Sequence, residues 1–216
     1  MAAEITVLGL GSLLSERSSR FTFPDLCNFR QVRVSGFRRV FSHPAPIFLE
    51  RGIARQETLE MSSLSAEPCE EAGFLCTAFE VDGIIPEFEE REMEFDLQKV
   101  PFQGLDGAPS GEGLLCCRST DDAVRARWGG RAHDGLLPFG IDTIWGWGPS
   151  SGLLPCPVYA RHCVLAARNL GAEAERSFLE ETFLIDRATT FGGYLGAHPE
   201  LLDCLPPSCF AERYSG

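Results

Sequence analysis

Two clusters in this chain have the residue types and spacing for chemistry. The first is Leu8-Gly9-Leu10-Gly11-Ser12-Leu13-Leu14, directly after an apolar run. Its two glycines let a backbone turn sharply and approach a ligand closely. Successive N–H groups in such a turn can cradle a carboxylate or an oxyanion. The second is the acidic run Glu87-Phe88-Glu89-Glu90-Arg91-Glu92-Met93-Glu94-Phe95-Asp96. Within it Phe88, Arg91, Glu92 and Phe95 recur at i, i+3, i+4 and i+7, which predicts one helix face. A carboxylate at Glu92 would then lie beside two phenylalanines, and apolar surroundings raise a carboxyl pKa towards useful acid–base values. Arg91 is expected to point outward and pair with Glu87 or Glu94.

Both clusters have plainer alternatives, a simple strand–turn–helix and a solvated acidic helix. A dinucleotide fingerprint is disfavoured, because the third glycine it needs would stand at position 14, where the chain has Leu14. No Gly-x-Ser-x-Gly occurs, so a Ser–His–Asp hydrolase has no elbow. The four histidines, His43, His133, His162 and His198, stand apart from any cysteine pair with zinc spacing. His43 could line a pocket, with a routine hydrogen bond the plainer reading. Trp145-Gly146-Trp147 reads as packing.

The elements that must position these clusters are partly readable. Residues 4–10 predict a buried strand, and residues 13–18 a short helix with Ser12 or Ser15 as its cap. Residues 31–41 alternate as a strand, with a bulge at Gly36. Residues 51–70 read as a polar loop with a short strand, and 73–81 as a strong strand. The segment 84–100 reads as helix and then extended chain, 103–113 as a loop, and 114–118 as a short strand. Val158–Leu170 and Ala172–Asp186 carry helical spacing, with Gly171 as the turn between them. Gly192-Gly193 and Pro199 are expected to end that region, and the tail to be extended and irregular.

Composition bounds the rest. The chain has 216 residues, 44% of them hydrophobic, and a formal net charge of −12. That suits one domain able to bury a core. The negative charge argues against a nucleic-acid partner, which needs clustered Lys and Arg. No 18-residue apolar run occurs, so no membrane-spanning helix is expected. The nine cysteines, an odd number without a C-x-x-C, read as small buried residues of a reducing compartment. No secretory leader is readable, and a cytoplasmic location is the expectation.

Four short motifs in order carry a family resemblance over about the first hundred residues. The Gly9-Leu10-Gly11-Ser12-Leu13 turn resembles the Gly-x-Gly-Ser signature of the γ-glutamyl cyclotransferases. Gly36-Phe37-Arg38-Arg39-Val40-Phe41 is similar to a strand of the ChaC-like branch, which acts on glutathione. Thr77-Ala78-Phe79-Glu80-Val81 resembles the strand leading to the catalytic helix. Phe88-Glu89-Glu90-Arg91-Glu92 resembles the motif whose last Glu is the family's acid–base residue. Leu10 departs from the family's usual Tyr, Cys76 from a common Gly, and Phe95-Asp96-Leu97 from a common Gly-Gly-Tyr.

The resemblance implies an α+β fold: a small mixed β-barrel with flanking helices over 1–155, and a helical C-terminal extension over 156–216 packed on the same domain. It implies Glu92 as catalytic residue and Gly9, Leu10, Gly11, Ser12, Leu13 and Leu14 as the substrate-binding turn. It implies release of 5-oxoproline from a γ-glutamyl peptide, glutathione first, with γ-glutamyl amino acids and γ-glutamylamines as alternatives. No metal and no cofactor is implied, and the partner is a small molecule bound by a monomer or homodimer. Arg38 or Arg39 is a candidate anchor for a substrate carboxylate, a surface strand position being the alternative. A non-catalytic binding module on the same fold is the rival reading, favoured by Leu10.

Overall fold

Strand β1 (Glu4–Gly9) enters the core at once, with Val7 and Leu8 essentially inaccessible to solvent. The computed structural model describes residues 4–83 and 85–216, except for the side chains of residues 85–87. After β1 a single 3-10 turn, Ser12–Leu14, leads into α1 (Glu16–Arg20). Ser15 caps α1, its side chain accepting the Ser18 N–H at 3.2 Å. β2 (Cys27–Pro44) and, after the short α2 (Pro46–Glu50), β3 (Glu60–Asp82) run antiparallel along most of their length. Their register shifts between Ser35 and Phe37, where Gly36 takes a φ of +80° and bends the ribbon.

β3 is much longer than the sequence predicts. Residues 60–70 read as polar loop, but Ser62 and Ser65 are fully buried in the strand. Their hydroxyls are satisfied across the sheet: Ser62 donates to the Leu154 carbonyl at 2.8 Å, and Ser65 lies 2.7 Å from the Ser42 hydroxyl. Buried polar groups with partners cost little, so the apolar alternation that announces a strand was not needed here.

The chain continues as α3 (Ile85–Arg91), β4 (Asp96–Gln103) and β5 (Pro109–Cys117). The expected loop 103–113 is therefore mostly strand. Next come α4 (Asp121–Trp128), α5 (Arg131–Asp134), the two-residue β6 (Leu154–Pro155), α6 (Pro157–Leu170) and α7 (Ala172–Glu180). β7 (Thr182–Phe183) and α8 (Phe191–Ala197) follow. The strands form one mixed sheet in the order β6-β3-β1-β5-β4-β2-β7 with helices flanking it. β1 joins antiparallel to β3 and parallel to β5.

Two expectations about the second half are corrected. The helix predicted to reach Asp186 stops at Glu180, because Thr182 and Phe183 pair with Arg39 and Val40 of β2. Gly192 and Gly193 do not end the helical region but lie inside α8. A Cβ on Gly192 would stand 3.0 Å from the Leu179 carbonyl, so glycine there lets α8 lie against α7. Gly171 does break α6 from α7, at a φ of +116°. Among the described residues, no helix is long and apolar enough to cross a membrane.

Candidate active site

The glycine turn is built by close approach. A Cβ on Gly9 would stand 2.6 Å from the Leu13 carbonyl and 2.5 Å from Thr77 Oγ1, so only glycine fits. Thr77, opposite Gly9 on β3, donates to the Leu13 carbonyl at 2.8 Å, and Ser19 Oγ donates to the same carbonyl at 3.2 Å. Gly11 is required for a second reason: a Cβ there would overlap the Tyr159 hydroxyl from α6. The turn is thus held from β3, α1 and α6 together.

Leu10, Gly11, Ser12 and Leu13 line a cavity of about 310 Å³. Gly9 and Leu14 do not. Gly9 stands behind the turn against Thr77, and Leu14 is buried in the core. Four of the six expected binding residues therefore share one cavity.

Glu92 lines the same cavity. α3 ends one residue earlier, but the Glu92 N–H still donates to the Phe88 carbonyl at 2.9 Å, and the Phe95 N–H donates to the Glu92 carbonyl at 2.9 Å. Phe88 and Phe95, both buried, pin the two ends of this turn. Phe88 packs on Phe23, with ring centroids 5.6 Å apart. So the two phenylalanines do flank Glu92, although Phe95 lies beyond the helix and not on its face. The Glu92 side chain is 12% exposed, and Arg91 Nε sits 2.9 Å from its Oε1. Arg91 pairs with its sequence neighbour and not with Glu94 as expected; the side chain of Glu87 lies outside the described residues.

Glu94, expected from the sequence only as a partner for Arg91, also lines the cavity. Burial, followed by the neighbouring Glu92 charge, pushes its carboxyl up to about 8. Its backbone carbonyl accepts the Trp145 indole N–H at 2.7 Å. Cys116 closes this side of the cavity, and burial with both glutamates drives its thiol well above the usual range.

The remaining lining residues come from distant segments. Tyr159 is supplied by α6, Arg51 by the end of α2, and Arg213 and Tyr214 by the tail. Burial raises the Tyr159 hydroxyl far above 10. Arg51 Nη1 donates to Tyr214 Oη at 2.8 Å. No local pattern marks these residues, since they come from three segments far apart in the sequence.

The arginines of β2 are not at the cavity. Arg39 is fully buried, its guanidinium between the rings of Phe74 and Phe178 at 4.8 and 4.9 Å. It donates to the Leu75 carbonyl at 3.1 Å and to Ser177 Oγ at 3.2 Å. Arg38 lies 3.6 Å from Glu67. Neither residue lines the cavity, and neither is a plain surface position, since Arg39 is buried and Arg38 is engaged by Glu67. His43 does not line the cavity either. It is buried between Phe95 and Trp145, with centroids 5.0 and 4.3 Å away, and burial holds its pKa down at about 3. Among the described residues, no group of three or more His, Cys, Asp or Glu could hold a metal ion.

No family model matches this chain, and no curated protein sequence matches it. Solved structures do. A gamma-glutamyl cyclotransferase superposes with a TM-score of 0.52 at 10% identity, over 81% of this chain and 85% of that one. The crystal structure of the uncharacterized protein loc79017 from Homo sapiens superposes with a TM-score of 0.52 at 12% identity, over 81% and 84%. At such identities the likeness is one of fold, and the α+β sheet with its flanking helices is the fold of a gamma-glutamyl cyclotransferase.

Proposed function

We propose that this chain is a cyclotransferase that releases 5-oxoproline from a γ-glutamyl substrate. The observation that carries the reading is that Glu92 and the Leu10–Leu13 turn line one cavity, in a fold shared with a gamma-glutamyl cyclotransferase. The cavity volume lies at the lower end of the range of about 300–1,000 Å³ common for small-molecule sites.

The reaction is an intramolecular aminolysis. Glu92 takes a proton from the substrate's α-ammonium, and the freed amine attacks the side-chain amide carbonyl. The new N–C bond closes a five-membered lactam. The C–N bond to the next residue breaks as Glu92 delivers that proton to the departing nitrogen. The ring nitrogen then loses its second proton, which Glu92 also passes to the departing amine, so that the lactam leaves neutral and the amine leaves as an ammonium. The N–H groups of the Leu10–Leu13 turn hold the substrate and stabilise the oxyanion that develops, each such donor being worth about 3 kcal/mol. A cavity that folds the γ-glutamyl arm places amine and carbonyl together, which lowers the entropic barrier. The step balances without a metal or redox cofactor.

Glutathione is the substrate to try first, on the ChaC-like Arg38-Arg39-Val40-Phe41 strand, in a cytoplasmic setting. The ring of pairings β2-β3-β1-β5-β4, returned to β2 at Arg33↔Gln103, supports the expected small barrel. The purified protein is incubated with glutathione and assayed for 5-oxoproline and Cys-Gly, with Glu92→Gln in parallel. Product from the wild type and none from the folded variant is the expected result. Turnover only of γ-glutamyl amino acids or γ-glutamylamines would move the substrate and keep the reaction. Silence on all three would favour the binding module, for which Leu10, an apolar side chain on the cavity wall, is the supporting feature.

A further inference from the structure

Four guanidiniums, Arg51, Arg91, Arg131 and Arg213, and four carboxylates, Glu50, Glu90, Glu92 and Glu94, line the cavity, but among the described residues only two ion pairs form between them. Glu92 is paired by Arg91, and Glu90 by Arg131. Two other guanidiniums line the same cavity, Arg51 and Arg213, and neither forms an ion pair among the described residues. Arg51 is held by a neutral partner, the Tyr214 hydroxyl, with its guanidinium 5.1 Å from the Phe210 ring centroid. Arg213 lies over Phe21, 5.8 Å from the ring centroid.

The tail that brings Arg213 here is firmly seated. The N–H groups of Arg213 and Tyr214 both donate to the Phe210 carbonyl at 3.1 Å. Glu212 pairs with Arg17 at 2.7 Å, and the Gly216 N–H donates to His162 Nδ1 at 3.0 Å. Tyr214 is buried. Partial burial, then the charges of Arg51 and Arg91, lower the Arg213 pKa, so the three guanidiniums feel one another. Arg91 is paired with Glu92, whereas Arg51 and Arg213 have no ion-pair partner among the described residues and offer two guanidinium forks to an anionic ligand group. Arginine's planar fork suits a carboxylate in particular.

We infer that Arg51 and Arg213 bind the carboxylate of the leaving amino acid or peptide, and so select γ-glutamyl amino acids and peptides over γ-glutamylamines. The inference rests on the proposed cyclotransferase reading. That reading gives the γ-glutamyl end to the turn's N–H groups and to Glu92. The anion left over in such a substrate is the one on the departing amine.

The test is equilibrium binding by calorimetry on Glu92→Gln, which prevents turnover of the ligands. γ-Glutamylalanine and γ-glutamylethylamine differ only by that carboxylate. The expected result is about 10- to 100-fold tighter binding of γ-glutamylalanine, the range of a charge-assisted bond. Arg213→Gln and Arg51→Gln should each shrink that ratio, by loss of affinity for γ-glutamylalanine alone. Tyr214→Phe, which removes the hydroxyl on Arg51 but no charge, should keep most of it. An unchanged ratio in both arginine variants overturns the inference. Equal weakening of both ligands overturns it too, and assigns the pair to the α-carboxylate that both carry. If 5-oxoproline forms in the wild type but the ratio is near one, the selectivity inference alone fails. If neither ligand binds and no γ-glutamyl compound yields 5-oxoproline, the cyclotransferase reading fails with it.

Discussion

Gly11 leaves the space that the Tyr159 hydroxyl fills, so a strand–turn signal near the N-terminus and a tyrosine from a helix about 150 residues later form one unit. Gly11→Ala should therefore destabilise the fold by about 1–3 kcal/mol, the usual cost of overpacking. Tyr159→Phe removes the overlapping oxygen and should cost about 1 kcal/mol for its lost hydrogen bonds. The double variant should be more stable than the sum of the two costs predicts, because the overlap with the hydroxyl is gone and only a tight contact with the ring carbon, at 3.2 Å, remains. Denaturant unfolding of all four proteins measures this coupling. Strict additivity would mean that the turn moves away from Tyr159 at no cost.

Arg39 ties β2 and β3 to α7, and its removal should act on stability. Arg39→Ala empties a fully buried site between Phe74 and Phe178. A loss of about 2–5 kcal/mol is expected. Arg39→Lys should recover little, since an ammonium cannot stack between two rings and fork to the Leu75 carbonyl and Ser177 as the guanidinium does. Thermal midpoints give the order wild type, Lys, Ala. A lysine variant as stable as the wild type would show that charge alone holds this junction.

The thiols should divide by burial. Cys76, Cys116, Cys117, Cys156 and Cys163 are buried, and burial raises the pKa of each. A thiol kept protonated and covered does not react. Alkylation of the native protein, read by intact mass, should stop at four adducts at most, on Cys27, Cys69, Cys204 and Cys209. Fast labelling of Cys116 would show that the cavity opens widely enough to admit the reagent.

The parts that sequence made legible are those whose signal is local. A strand followed by Gly-x-Gly, the bulge at Gly36, the cap at Ser15 and the break at Gly171 each depend on a few neighbouring residues. The first half of β3 was not legible, because Ser62 and Ser65 are buried by virtue of partners on other segments. The same holds at the cavity. The family resemblance pointed to Glu92 and the turn through short motifs, whereas Arg51, Tyr159 and Arg213 reach the cavity only through the packing of α2, α6 and the tail. Arg39 shows the opposite error: a motif residue that looks like a ligand anchor is in fact a buried strut.

Stability should depend on pH with opposite signs on its two limbs. His43 and His162 are buried, and burial lowers their pKa values from 6.5 to about 3 and about 4. Between those values and 6.5 the unfolded chain binds more protons than the folded one, so stability falls as pH drops below 6.5. Glu94 acts in reverse. Its folded value of about 8 exceeds the ordinary 4.5, so between the two the folded chain binds more protons, and stability falls as pH rises. From 4.5 to 6.5 two histidines oppose one glutamate and the slope is upward; from 6.5 to 8 only the glutamate remains. These three groups together place the maximum near pH 6.5. Thermal midpoints from pH 4 to pH 9 should trace this dome. Glu94→Gln should flatten the alkaline limb and steepen the acid limb between pH 4.5 and 6.5, whereas His162→Gln should reduce the slope of the acid limb alone. An alkaline limb unchanged in Glu94→Gln would mean that its carboxyl is already ionised in the folded protein. Glu92 would then share the cavity with a second anion, not with a neutral acid.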